Sequence, residues 1–75
     1  MTYGERTAYI REWRQARFLS QRQLADRAGV SRETIINVEA GKPLRVTTLQ
    51  RLAAALGLSP EDLFQRPEDV KGSAK

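Results

Sequence analysis

At 75 residues the chain has room for one small core and not for two, so it reads as a single module. With no cysteine and no histidine, it offers no disulfide framework, no Cys/His metal site and no His-based or Cys-based catalytic group. Its net charge of +4 is unevenly spread, with nine Lys/Arg against five acids in residues 1–45 and four of each in residues 46–75.

Apolar residues recur at spacings of three and four, and no stretch alternates in the manner of a strand, so an all-α chain of five helices is predicted. The first helix, about residues 7–17, places Ile10 and Trp13 on one face. The second, about 21–28, follows Ser20 as N-cap, turns Leu24, Ala25 and Ala28 inward and stops at Gly29. Ser31 caps a third helix that runs to about residue 40, where Gly41 and Pro43 end it. The fourth, about 46–56, carries Leu49, Leu52, Ala53 and Leu56 at helical spacing and closes at Gly57. A short fifth helix opens on Ser59-Pro60-Glu61-Asp62, which joins an N-cap, a proline at the first helical position and acids in the first turn. Its anchors are Leu63 and Phe64. The remaining QRPEDVKGSAK is polar and broken by Pro67 and Gly72, so residues 65–75 are expected to form a flexible tail behind a domain of residues 1–64.

The second and third helices are separated only by Gly29, Val30 and Ser31, which forces them to cross steeply. Gly29 accepts positive φ at the turn, Val30 plugs the junction, and small Ala25 allows close approach while Leu24, Ala28, Ile35 and Val38 seal the angle. The pair is a helix-turn-helix. The apolar positions of GVSRETIINVEAG suffice to hold the third helix down, which leaves Arg32, Glu33, Thr34 and Asn37 as a polar face with no structural duty. The positive excess lies in the same half of the chain, as expected of a surface that meets phosphate.

At this point the sequence resembles the phage Cro/cI repressor-type helix-turn-helix family, also called the xenobiotic-response-element type. The matching text is IREWRQARFLSQRQLADRAGVSRETIINVEAGK followed by TLQRLAAALGLSPEDLF. The resemblance implies a compact five-helix domain of the lambda-repressor-like type and sequence-specific DNA binding with the third helix in the major groove. In that setting Arg32 can lie on guanine O6 and N7, and Asn37 can read adenine N6 and N7. Glu33 either accepts from cytosine N4 or orients Arg32, and Thr34 touches either a thymine methyl or a phosphate. Ile36 has two readings, packing on thymine methyls or packing against the loop before the fourth helix.

Backbone contacts are expected from Gln21, which resembles the family's phosphate clamp, and from Ser31, Arg14, Lys42, Arg45 and Arg22, with Arg11 and Arg17 as further candidates. In the family the arginine corresponding to Arg14 bonds the glutamate corresponding to Glu39 and so ties the recognition helix to its scaffold. Three positions depart from the pattern: Phe18 where glycine or asparagine is common, Ala40 where asparagine is common, and Arg45 where serine or threonine often caps the fourth helix.

The resemblance implies a transcriptional regulator, expected to be a repressor that binds a palindromic operator as a homodimer through Leu58, Phe64 and Val70. The competing expectation is a protein-interaction module or antitoxin-type adaptor that uses the same fold with a toxin or other protein partner. No enzyme activity, metal or cofactor is expected. The chain has no apolar run that could span a bilayer, and its opening MTYGERTAYI lacks a signal-peptide core, so a cytoplasmic location is expected.

Overall fold

A computed structural model describes residues 8–69. These residues form four α-helices, α1 (Ile10–Ala16), α2 (Gln21–Ala28), α3 (Arg32–Glu39) and α4 (Val46–Leu56), followed by 3-10 helices at Pro60–Phe64 and Pro67–Asp69. Among them no helix is long and apolar enough to cross a membrane.

Each boundary has a local cause. The Ser20 hydroxyl accepts from the Gln23 N–H at 3.0 Å while the Ser20 N–H donates to Gln23 Oε1 at 2.8 Å, a reciprocal capping box that starts α2. Gly29 ends it at φ +71°, in the left-handed region that a Cβ disfavours. The Ser31 hydroxyl accepts from the Thr34 N–H at 3.1 Å and opens α3. Helix α4 starts behind Arg45 with no side-chain cap and ends at Gly57, φ +74°.

Two expectations are corrected here. The fifth helix is a 3-10 helix of five residues rather than an α-helix. It ends at Gln65, whose backbone is extended at φ −124° and ψ 152°, two residues before Pro67. The segment is held at its start by Asp62, whose carboxylate accepts from the Ser59 N–H at 3.3 Å and hydroxyl at 3.1 Å. The first helix begins at Ile10 rather than near residue 7, which itself lies outside the described residues. At its entry the Tyr9 N–H donates to the Leu63 carbonyl at 2.7 Å, so this peptide ties the chain to the 3-10 segment.

The core lies between the helices. Ile10 and Trp13 of α1, Leu24 of α2, Ile35 of α3, Leu49 and Leu52 of α4, and Leu63 are its largest fully buried side chains. Fully burying one such side chain contributes about 1.5–3 kcal/mol, so this set dominates the favourable side of folding. Trp13 also donates from Nε1 to the Gln65 carbonyl at 2.8 Å, and the Arg66 guanidinium stands 5.7 Å from the Tyr9 ring centre. The start of the polar tail is therefore fastened to α1.

Candidate nucleic-acid interface

The geometry of α2 and α3 follows from the turn between them. The Val30 N–H returns to the Ala25 carbonyl at 3.0 Å, and Val30 packs half-buried on the core. From α4, Arg51 Nη1 donates to the Gly29 carbonyl at 3.3 Å, a tie that no local sequence pattern announces. Ala25, Ala28, Ile35 and Val38 are buried, which leaves the opposite side of α3 to solvent.

The four residues of the expected reading face do not stand alike. Arg32 and Glu33 are exposed, and Asn37 is half-buried. Among the described residues none of these three side chains has a hydrogen-bond or ion-pair partner. Thr34 is half-buried, and its hydroxyl lies 2.9 Å from that of Ser31, so it is part of the cap of α3. Ile36 is exposed on the same helix at 41%.

At the other end of α3, Glu39 collects side chains from two other helices. Its carboxylate, only 1% exposed, accepts from Arg14 Nε at 2.7 Å and Nη2 at 3.2 Å, from Gln21 Nε2 at 3.2 Å and from Arg11 Nε at 3.3 Å. Arg14 spends its remaining Nη1 on the Leu19 carbonyl at 2.8 Å, just before α2. Burial pushes the Glu39 carboxyl up, but the hydrogen bonds from Arg14 and Gln21, the Arg14 charge and the Arg11 bond outweigh it, so its pKa lies below the ordinary value. One carboxylate thus joins α1, α2 and α3.

Arg11 and Gln21 are partners of Glu39 that sequence reasoning missed. The available signal was position: Arg11 and Arg14 are three apart and share a face of α1, while Gln21 opens α2 beside them. A bond to Glu39 leaves Gln21 with one amide hydrogen for another acceptor, and Arg11, 57% exposed, keeps most of its guanidinium in solvent. Arg22, Ser31, Lys42 and Arg45 are exposed, the first two near the starts of α2 and α3 and the others in the loop after α3. Arg17 is engaged elsewhere, with Nε donating to the Leu56 carbonyl at 3.1 Å and its guanidinium 5.3 Å from the Trp13 ring centre. Leu58 and Phe64 are half-buried against the core, and Val70 lies outside the described residues. No group of His, Cys, Asp or Glu among the described residues could hold a metal ion.

This arrangement leaves one side of a short helix to solvent, with Arg32, Glu33 and Asn37 unpartnered among the described residues and Arg22, Lys42 and Arg45 exposed on neighbouring segments. Donors and acceptors so placed can hydrogen-bond a polar partner that approaches from that side.

The helix-turn-helix family profile matches residues 10–63. An otherwise uncharacterised HTH-type transcriptional regulator of Methanothermobacter thermautotrophicus is 45% identical over 62 residues, covering 80% of this chain and 90% of that protein. Among solved structures, the restriction-modification controller protein C.AhdI of Aeromonas hydrophila is 37% identical, with a TM-score of 0.72 over 75% of this chain and 86% of that one. The biofilm master regulator SinR, solved in complex with DNA, shares the fold at 24% identity and a TM-score of 0.69 over 75% of this chain and 92% of that one. By sequence and by fold, the chain belongs to the Cro/cI-type helix-turn-helix family of DNA-binding transcriptional regulators and is not an enzyme.

Proposed function

We propose that the protein is a sequence-specific regulator that binds double-stranded DNA as a homodimer on a palindromic operator and represses transcription in the cytoplasm. The observation that carries this reading is the outward face of α3, where Arg32, Glu33 and Asn37 have no partner among the described residues. Unpaired donors and acceptors on a helix that is otherwise anchored are what base edges in a major groove require. Arg32 takes guanine, Asn37 takes adenine, and Glu33 takes cytosine N4 or steers Arg32. Gln21, Arg22, Lys42 and Arg45 take phosphates, with Ser31 and Arg14 beside them, and these set register without reading sequence.

One such module buries little surface on DNA, so a second copy adds both affinity and specificity, with half-sites about one helical turn, roughly 34 Å, apart. The dimer contact is assigned to Leu58 and Phe64, together with Val70, which lies outside the described residues. C.AhdI, a restriction-modification controller, supports the regulatory class to which this reading assigns the chain.

Selection from random duplexes tests the proposal. Enrichment of an inverted repeat with a steep loss of affinity as salt rises is expected. A selection that enriches no duplex would overturn it.

A further inference from the structure

Among the described residues only two large apolar side chains are exposed, Phe18 in the turn after α1 and Ile36 on α3. Phe18 stands at 92% exposure on a different element from the reading face. Ile36 is the case with a chemical neighbourhood. It joins neither the buried core, which includes Leu44 of the loop before α4, nor the half-buried residues packed against that core.

The phase of α3 places Ile36 outward. Successive residues turn by about 100°, so with Ile35 and Val38 buried, the opposite side is centred on Glu33 and Ala40, with Ile36 and Asn37 equally placed on either side and Arg32 beyond Ile36. Arg32 lies one turn before Ile36 and Ala40 one turn after it, and both are exposed. Ala40 has only a methyl, so nothing on α3 crowds Ile36 from that side. A single apolar side chain among hydrogen-bonding neighbours is too small an island for a stable protein interface, which buries some 1,200–2,000 Å² in total. It suits a surface that mixes donors, acceptors and isolated methyl groups. The major-groove edges of base pairs are such a surface, and their apolar group is the methyl on C5 of a pyrimidine.

We infer that Ile36 is a specificity-determining residue that reads the C5-methyl group of a pyrimidine in the half-site. The inference rests on the DNA-reading function proposed above and adds an apolar element to its hydrogen-bonding face. Two bases carry this methyl, thymine and 5-methylcytosine. With Arg32 about 6 Å away along the helix axis, the methyl lies within about two base-pair steps of the guanine assigned to that arginine.

The test uses the full chain and the duplex returned by selection. Each thymine of the half-site is replaced in turn by uracil, which deletes the methyl and keeps the pairing edge. Affinities are measured for the wild type and for Ile36→Ala, whose helix content is checked by circular dichroism. At one position uracil is expected to weaken the wild type about fourfold, the worth of one buried methyl, while Ile36→Ala binds the two duplexes equally. At that position a C·G pair with and without the 5-methyl group separates the two sources. A gain from 5-methylcytosine assigns the methylated base as a ligand, and a gain confined to thymine over uracil assigns thymine.

If no methyl deletion distinguishes the wild type from Ile36→Ala on a duplex that both bind, the inference is overturned and the DNA-reading function stands. If no duplex binds the wild type at all, both fall.

Discussion

Arg14 and Glu39, 25 residues apart, meet at 2.7 Å with the carboxylate almost wholly out of water. The glutamate is the last residue of α3, so the pair ties the C-terminal end of that helix to α1. Gln21 and Arg11 share the same carboxylate, and a phosphate drawn to either would meet side chains whose positions are already restricted.

Removal of Glu39 should be costly because it leaves Arg14 partly buried without its counter-charge. Glu39→Ala is expected to lower stability by about 3 kcal/mol, read as a shift in the urea midpoint at unchanged slope. Arg11→Ala, which removes a mostly exposed partner, should cost well under about 1 kcal/mol. Equal losses for the two variants would refute the central place given to the Arg14–Glu39 pair.

The depressed pKa of Glu39 makes stability depend on pH with a definite sign. The unfolded chain titrates this group near the ordinary 4.5, and the folded chain titrates it lower, so between the two the unfolded state binds more protons. The contribution is complete above the unfolded value and disappears as pH falls through the folded one. Thermal melts from pH 7 to pH 2 should therefore show a loss below about 4.5 that is shallower in Glu39→Gln than in the wild type.

Arg32 and Gln21 should fail in different ways. Arg32→Ala is expected to cost about 1–3 kcal/mol on the preferred duplex and to relax the base preference at one position. Gln21→Ala should weaken all duplexes to a similar extent and leave the selected sequence unchanged. Repeating the selection with each variant checks this, and an unaltered preference in Arg32→Ala would remove it from the reading face.

Phe18 holds φ at +59° with its ring in solvent, so it bears a backbone cost without the compensation of burial. Phe18→Asn should raise stability by about 1 kcal/mol, since asparagine tolerates the left-handed region better. A rise in melting temperature with unchanged DNA affinity is the expected result.

Local pattern determined much of this protein. The bounds of α2 and α4, the caps at Ser20 and Ser31, the turn at Gly29 and the inward faces of Leu24, Ile35, Leu49 and Leu52 all follow from residues within a few positions of one another. Helical periodicity and capping act over that range, so a linear reading reaches them. The Arg14–Glu39 pair spans a longer distance and was anticipated only through the family resemblance.

Tertiary structure alone decided the rest. Thr34 and Asn37 look equivalent on paper, yet the Thr34 hydroxyl is turned to the Ser31 cap while Asn37 has no side-chain partner among the described residues. Gln21 and Arg11 converge on Glu39, Arg51 reaches Gly29 from α4, and Trp13 fastens Gln65. The short segment Pro60–Phe64 closes as a 3-10 helix. The ties made by Gln21, Arg11, Arg51 and Trp13 depend on which polar atoms are brought within about 3 Å by the packing of distant apolar residues, a distance criterion that spacing along the chain does not contain.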